Sequence, residues 1–351
     1  MSVFFAERNK TLEPYTPGEQ PREQKYIKLN TNESPFEPAH LVKEYVACAG
    51  EQLQLYSDPT LGPLVKEAAE YYKVNENELI FTNGSDEILN FAVMAFAEEL
   101  RFPDITYGFY PVYANLYHLP YKEVPVKDDF TIDVENYFGN DGMIILANPN
   151  AITGIALTVE DIRKVLEQNP NHVVLVDEAY VDFGGESCVP LIKEYNNLLV
   201  AQTFSKSRSM AGARLGVGIG NKKLIEDLNT IKFSTNPYNV NTMTMWAGIG
   251  ALREQEYFEK NCRVISENRS WLKEQLEKRN FTLTPSKANF VLAKSDAIQG
   301  MVLYEKLKEK GILVRHFGKK RIKDYIRITI GSKEQMRCLV TAIDEILGER
   351  T

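Results

Sequence analysis

The chain has 351 residues, of which 44% are hydrophobic and 25% charged, a composition that excludes an intrinsically disordered protein. Its 41 Lys and Arg residues against 48 Asp and Glu residues leave a net charge of −7, which argues against a nucleic-acid surface and against docking on acidic lipids. Since the sequence shows neither a signal-peptide pattern nor an apolar run of about 18 residues, we expect a soluble cytoplasmic protein with a small-molecule partner.

The cysteines are scattered, without a CxxC pair or a Cys/His cluster of metal-ligand spacing. We therefore expect reduced thiols and no bound metal at the four positions Cys48, Cys188, Cys262 and Cys338.

From about residue 60 the hydrophobic pattern alternates between helical and strand-like segments. A helix over 64–73 is followed by a strand over 79–82 and a helix over 85–100. A further helix over 158–169 opens with a capping pattern. Four apolar runs predict buried strands, at 143–147, 172–177, 197–204 and 214–220. Apolar strands separated by helices predict a mainly parallel sheet with helices on both faces.

From about residue 253 the pattern changes to a long charged helix, followed by a strand, a helix, two strands and a helix. One of these two strands is predicted in "ILVRHF" and the other in "YIRITIG". This order is typical of a small α+β domain. We expect three parts: an N-terminal arm over 1–40 that packs on the small domain, a large domain over 41–250 and a small domain over 251–351.

A turn between a predicted strand and helix carries Gly84, Ser85 and Asp86. Such a turn points free backbone N–H groups at a ligand, at the positive end of a helix, which suits a phosphate. The alternative is plain N-capping by Ser85 or Asp86.

Asp177 ends a buried strand, and Tyr180 lies three residues beyond it. A carboxylate at that position needs a cation or a hydrogen-bond donor. No other residues complete a convincing metal site, whereas a protonated ring nitrogen would satisfy the carboxylate without a metal.

Lys206 follows the apolar run "LLVAQTF" and should lie at the sheet edge near Asp177. Burial and a neighbouring cation such as Arg214 lower the pKa of a lysine and release the neutral amine that attacks a carbonyl. The alternative is an ordinary solvated lysine. A tyrosine of the segment after residue 105 could offer a flat surface to an aromatic ligand. Together these features describe a pocket for pyridoxal 5′-phosphate bound to Lys206.

With these motifs, the sequence resembles the fold-type-I family of pyridoxal-phosphate enzymes, most closely its histidinol-phosphate aminotransferase branch. The resemblance extends from "LEPYTPGEQP" to "YIRITIGSKEQ". It implies an α/β fold, with a large domain built on a mainly parallel seven-stranded sheet flanked by helices and a small C-terminal α+β domain. It also implies an enzyme of histidine biosynthesis that moves an amino group from a small donor to a 2-oxo acid in ping-pong fashion.

The resemblance assigns roles residue by residue. Lys206 is the Schiff-base lysine and proton carrier, Asp177 pairs with the ring nitrogen, Tyr180 contacts the phenolic oxygen and Tyr107 stacks on the ring. The implied phosphate ligands are Gly84, Ser85, Asp86, Ser205 and Arg214. The implied substrate contacts are Arg327, Arg315 and Tyr15. Tyr56 matches a tyrosine that reaches the neighbouring subunit's phosphate, which implies a homodimer.

One motif departs from the family pattern Asn-Pro-Thr-Gly, whose asparagine contacts the phenolic oxygen. Here the Asn and Pro positions hold Ala151 and Ile152. The site either loses one hydrogen bond or regains it from Asn150 in a shifted loop.

Other functions stay open at this point. A decarboxylase of the threonine-phosphate type and an aromatic amino acid aminotransferase would use the same cofactor. A catalytically silent binding protein of the same fold is a further alternative. A nicotinamide-dependent dehydrogenase is disfavoured, because no GxGxxG segment lies between a strand and a helix near the start.

Overall fold

The computed structural model describes residues 2–21 and 24–348. The strands in chain order are β1 (Ile27–Lys28), β2 (Leu79–Asn83), β3 (Leu100–Pro103), β4 (Tyr121–Val124), β5 (Met143–Ala147), β6 (Val174–Asp177), β7 (Leu198–Thr203), β8 (Leu215–Gly220), β9 (Phe281–Leu283), β10 (Phe290–Ser295), β11 (Ile312–Leu313), β12 (Arg315–His316) and β13 (Ile326–Thr329). The α-helices are α1 (His40–Gly50), α2 (Gly62–Tyr72), α3 (Ser85–Phe96), α4 (Tyr110–Leu116), α5 (Val159–Gln168), α6 (Lys222–Thr235), α7 (Thr242–Arg253), α8 (Gln255–Glu277), α9 (Gly300–Glu309) and α10 (Lys333–Gly348).

The large sheet has seven strands in the order β2-β8-β7-β6-β5-β3-β4, and the prediction of a mainly parallel sheet is confirmed. Only β8 runs against its neighbours, β2 and β7. Because β8 is antiparallel, it begins at the edge where β2 and β7 end. Arg214, which precedes β8, therefore lies beside the ends of these two strands, and this edge of the sheet forms the site.

Both faces of the large sheet are buried, as its continuous apolar strands predict. In β6, Leu175 packs into one apolar cluster while Val174 and Val176 pack into the cluster on the opposite face. The predicted cap of α5 is present, because the Thr158 side chain accepts a hydrogen bond from the backbone N–H of Asp161.

The helix predicted over 85–100 ends four residues early, at Phe96. Ala97 adopts an extended conformation, and the chain enters β3 at Leu100. Leu100 pairs in parallel with β4 on one side and β5 on the other. Pairing between distant segments thus overrides the helical pattern of the local sequence.

A second, four-stranded antiparallel sheet has the order β12-β13-β10-β9. The segment "ILVRHF", predicted as one strand, is divided between two sheets: β12 joins this one, while β11 pairs with β1 near the N-terminus. The short strand β9 escaped the sequence analysis. The three-part division of the chain stays a prediction. Among the described residues, no helix has the length and apolarity that a membrane span requires.

Candidate active site

Lys206 lies in the loop after β7, where its Nζ donates a hydrogen bond of 3.2 Å to the backbone oxygen of Thr31. Burial is the main reason why the pKa of Lys206 is lowered to about 8; the charges of Arg327 and Arg214 act in the same direction, while Glu33 and Asp86 oppose the shift. A lysine with this pKa is partly neutral near physiological pH. It can therefore act as a nucleophile and as a proton acceptor.

Asp177 is buried at the end of β6. Its carboxylate accepts hydrogen bonds from the Tyr110 hydroxyl at 2.9 Å and from the backbone N–H of Ala179 at 3.2 Å. Burial raises the pKa of Asp177 to about 6, and the two hydrogen bonds oppose this shift. No ion pair with a Lys or Arg of the described chain compensates the charge, so the carboxylate suits a ligand with a protonated nitrogen.

The start of α3 and the side chain of Arg214 form an anion cradle. Arg214 donates to the Asp86 carboxylate at 3.1 Å and to the Ser205 hydroxyl at 3.4 Å. Gly84 has a φ of 74°, and a Cβ at this position would collide with the Arg214 guanidinium. A Cβ on Gly216 would come within 2.5 Å of the backbone of Gly84. Both glycines therefore allow the close approach that the cradle needs.

Two tyrosines face the same space as Lys206. The Tyr107 hydroxyl donates to the Asp86 carboxylate at 2.9 Å, which holds the ring in place. The Tyr180 hydroxyl accepts a hydrogen bond of 3.0 Å from the Asn32 side chain. Burial raises the pKa of both tyrosines, so both hydroxyls keep their protons and can donate.

Arg327 lies in β13, and its guanidinium donates to the backbone oxygens of Ala151 at 2.9 Å and Asn30 at 3.2 Å. Its Nε is buried and has no partner among the described residues. No carboxylate pairs with this cation there, and burial lowers its pKa. The rings of Phe290 and Phe317 hold the guanidinium from 5.1 and 5.4 Å. Such a cation is prepared to bind an anionic ligand.

Arg315 and Tyr15 lie near this cation. Among the described residues, Arg315 makes only long hydrogen bonds of 3.4 Å, to the backbone oxygens of Pro17 and Thr16. The Tyr15 ring lies 6.2 Å from the Tyr107 ring in an edge-on arrangement. The N-terminal segment therefore forms one wall of the site.

These side chains line two cavities. One, of about 270 Å³, contains the predicted ring and phosphate contacts Ser85, Asp86, Tyr107, Asp177, Tyr180, Ser205 and Arg214. The other, of about 290 Å³, contains the predicted substrate contacts Tyr15, Arg315 and Arg327. Lys206 belongs to the lining of both. Within the described part of the chain, no three His, Cys, Asp or Glu side chains are grouped so that they could hold a metal ion.

Tyr56 lines neither of these cavities. Its side chain is 86% exposed, and its ring stacks on Tyr238 with centroids 4.8 Å apart. The structure therefore does not bring Tyr56 to the site of its own chain.

Comparison with known proteins agrees with this arrangement. The family model for aminotransferase class I and II matches residues 24–343. Histidinol-phosphate aminotransferase of Clostridium botulinum (strain Kyoto / Type A2) is 45% identical over 99% of this chain and 100% of its own length. The enzyme of that name from Brachyspira hyodysenteriae is 46% identical over 99% of both chains. The chain belongs to the class I and II aminotransferases.

The fold also matches. The structure of histidinol-phosphate aminotransferase from Sinorhizobium meliloti in complex with pyridoxal-5′-phosphate superposes with a TM-score of 0.86 over 93% of each chain, at 22% identity. The predictions of fold type I, of an aminotransferase and of pyridoxal phosphate as cofactor are confirmed. The chain is therefore an aminotransferase and not a catalytically silent binding protein.

The loop that departs from the family motif keeps Asn150 away from the cofactor cavity. The Asn150 side chain donates to the backbone oxygen of Ile105 at 2.8 Å and accepts from the backbone N–H groups of Ile152 and Thr153 at 2.9 and 3.0 Å. Ala151 lines the cavity instead. Of the two alternatives for this loop, the structure agrees with the loss of the hydrogen bond and not with its replacement by Asn150, because the Asn150 amide is used within the turn.

Sequence reasoning missed the contribution of three residues. Thr31 supplies the carbonyl that Lys206 contacts, Asn32 contacts Tyr180, and Tyr110 contacts Asp177. Tyr110 stood among several tyrosines with no feature to distinguish it. The segment "NTNES" contains four polar, uncharged residues that are buried or half-buried, but only the packed structure reveals their partners.

Proposed function

We propose that this aminotransferase moves the amino group of histidinol phosphate to 2-oxoglutarate in the biosynthesis of histidine. The observation that carries the proposal is the position of Lys206, which lines both the cavity that contains Asp177 and the cavity that contains Arg327. Relatives that are 45–46% identical over nearly the whole chain bear the name of this activity.

The cofactor cavity fits pyridoxal phosphate in its donors and its charges. Asp177 would hold the ring nitrogen, because its buried carboxylate has no cationic partner in the described chain. The backbone N–H groups of Ser85 and Asp86, together with Ser205 and Arg214, would hold the phosphate. The Asp86 carboxylate is already used by Arg214 and Tyr107, so its role is to position these side chains.

Two further contacts complete the cofactor site. Tyr107 would cover one face of the ring, and Tyr180 would donate to its phenolic oxygen. Gly84 contributes by its lack of a Cβ, which leaves room for Arg214. When bound, pyridoxal phosphate supplies an electron sink for the substrate's α-carbon.

Lys206 would hold the cofactor covalently and, once the substrate has displaced it, move a proton from the substrate's α-carbon. Its pKa of about 8 gives a neutral fraction that can accept this proton. Arg327, Arg315 and Tyr15 would bind the acidic end of the substrate, a phosphate or a carboxylate, and so orient the α-carbon toward Lys206.

The homodimer with shared active sites is part of the same proposal. Tyr56 is exposed, its ring stacks on that of Tyr238, and it lines neither of the two cavities of its own chain. We infer that Tyr56 reaches the cofactor phosphate in a second copy, and we place the enzyme in the cytoplasm.

Mixed dimers test this arrangement. Lys206→Ala removes the lysine of its own site, and Tyr56→Ala removes the tyrosine that its subunit lends to the other site. A mixture of the two variants, unfolded and refolded together, should regain activity, because one site per hybrid then contains both Lys206 and Tyr56. Activity no higher than the sum of the separate variants would refute the shared site.

The substrate is tested with the purified holoenzyme. Histidinol phosphate should bleach the visible absorbance of the bound cofactor, and 2-oxoglutarate should restore it. An absorbance that histidinol phosphate leaves unchanged while an aromatic amino acid bleaches it would replace the proposed donor. Release of carbon dioxide from a phosphorylated amino acid, without restoration by 2-oxoglutarate, would favour the decarboxylase.

A further inference from the structure

Asn32 lines the cavity that contains Arg327 and makes hydrogen bonds with all its polar groups. Its backbone N–H donates to the Thr329 hydroxyl at 3.0 Å, and its backbone oxygen accepts from the Asn289 side chain at 3.0 Å. Its side-chain oxygen accepts from the Thr329 hydroxyl at 3.1 Å, and its Nδ2 donates to the Tyr180 hydroxyl at 3.0 Å. Asn32 is buried, so none of these groups has bulk water as an alternative partner.

The direction of these hydrogen bonds fixes the direction of the Tyr180 proton. The Thr329 hydroxyl accepts from the Asn32 backbone and directs its single proton to the Asn32 side-chain oxygen. The Asn32 amide nitrogen therefore faces Tyr180, and an amide nitrogen can only donate. The Tyr180 oxygen is the acceptor, so its own proton is free to point into the cofactor cavity that Tyr180 lines.

The backbone of Asn32 restricts which residues can take this role. Its φ of 56° lies in the left-handed region, which Gly, Asn and Asp adopt most readily. Of these three, only Asn has an amide that donates. Ala151 has no polar side-chain atom and the Asn150 amide is used within its turn, so neither assists Tyr180.

We propose that Asn32 is a positioning residue that directs the Tyr180 hydroxyl proton toward the phenolic oxygen of the cofactor, with Thr329 locking the orientation of the amide. The inference rests on the proposed function, since it concerns the same cofactor. Thr329 lies two residues from Arg327 on the same face of β13. The strand that carries the substrate's anion site therefore also sets the orientation of a cofactor contact.

The test is a pH titration of the visible absorbance of the holoenzyme without substrate. A donor on the phenolic oxygen weakens that oxygen's hold on the neighbouring proton of the chromophore, so loss of the donor raises the pH midpoint. Asn32→Gly removes the amide and keeps the left-handed backbone. It should raise the midpoint by about half a pH unit, the size expected for one weakened hydrogen bond. Asn32→Asp should raise it more, because a carboxylate accepts the Tyr180 proton.

A double-mutant cycle separates this role from a general structural effect. Tyr180→Phe should raise the midpoint, and adding Asn32→Gly to it should cause no further rise. Asn268→Ala is the matched control: Asn268 is a buried asparagine on α8 whose amide donates to the backbone oxygen of Gly331 at 3.0 Å, and it lines neither cavity. It should keep the wild-type midpoint.

Three results would overturn the proposal. In the first, Tyr180→Phe raises the pH midpoint but Asn32→Gly leaves it at the wild-type value. In the second, Asn32→Gly raises the midpoint as much in the Tyr180→Phe background as in the wild type, and in the third, Asn268→Ala raises it as much as Asn32→Gly does. If the Asn32 variants do not fold, Thr329→Val removes the lock on the amide and should raise the midpoint in the same direction, and an unchanged midpoint there counts against the proposal. A wild-type protein that binds no pyridoxal phosphate would instead defeat the proposed function itself.

Discussion

The hydroxyl of Tyr110 lies 2.9 Å from the carboxylate of Asp177 and donates a hydrogen bond to it. Both side chains are buried, so the Tyr110 hydroxyl provides a hydrogen bond that water would provide to an exposed carboxylate. Burial raises the pKa of Asp177 to about 6, and the Tyr110 hydrogen bond keeps it from rising further. Tyr110 thereby keeps Asp177 ionised for its role toward the ring nitrogen of the cofactor.

Tyr110→Phe should therefore weaken cofactor binding on the acid side of neutrality. Loss of a stabilising donor of about 1 kcal/mol raises the pKa of Asp177 by somewhat less than one unit. Binding requires the carboxylate, so the pH below which the affinity of the apoenzyme for pyridoxal phosphate falls should move upward by a similar amount. Tyr137→Phe is the control, since the buried Tyr137 hydroxyl has no partner in the described chain. An unshifted profile in Tyr110→Phe would contradict the role of this hydrogen bond.

Lys206→Ala should abolish covalent attachment of the cofactor and reduce turnover by at least about 10³-fold, because both need the amine. Borohydride reduction followed by mass spectrometry measures the attachment. Lys232→Met is a matched control: Lys232 is also buried with a lowered pKa, but its Nζ donates to the backbone oxygen of Pro59, outside both cavities. Attachment that survives in Lys206→Ala, or disappears in the control, would disprove the assignment.

The pH dependence of attachment gives a separate check on Lys206. Its pKa of about 8 lies below that of an ordinary lysine because the charged form is buried. Only the neutral amine attacks, so the rate of attachment to the apoenzyme should rise with pH and level off above about 8. A rate that keeps rising toward pH 10 would indicate a lysine with an ordinary pKa.

Gly84→Ala should lower the affinity for pyridoxal phosphate by about tenfold or more. The new Cβ would displace the Arg214 guanidinium, and the φ of 74° adds backbone strain of roughly 1–2 kcal/mol. Cofactor affinity and the free energy of unfolding of the apoenzyme measure the two effects separately. Gly50→Ala is the control, since a Cβ there meets no atom within 4 Å. Equal cofactor affinity in both variants would mean that the position of the Arg214 guanidinium does not depend on the absence of a Cβ at Gly84.

Arg327→Lys should raise the KM for the anionic substrate by about tenfold or more and leave cofactor absorbance unchanged. A lysine cannot reproduce the planar fork, and its ammonium would lie in a pocket shaped by Phe290 and Phe317. Steady-state kinetics with histidinol phosphate measures the change. Arg269→Lys replaces another half-buried arginine, one that contacts the backbone oxygens of Phe183 and Ala288, and should keep the wild-type KM. A normal KM in Arg327→Lys would move the anion site to other side chains.

Local sequence decided much of this protein. The apolar runs of β5 to β8 predicted buried strands, and the Thr158 capping pattern begins α5 where expected. Asp177 and Lys206 could be recognised because each is an ionisable residue directly after an apolar strand, where it needs a special partner. The signal of each residue alone is weak, and only their combination in the motifs of the family predicted the cofactor.

Tertiary structure decided what depends on contacts between distant segments. The end of α3, the division of "ILVRHF" between two sheets and the position of Arg214 beside β2 and β7 all follow from strand pairing, which sequence periodicity does not contain. The contacts of Asn32 with Tyr180 and Thr329 span 148 and 297 residues of chain. Local propensity therefore determined the elements and the chemically unusual side chains, whereas only the packed fold determined which polar groups meet in the absence of water.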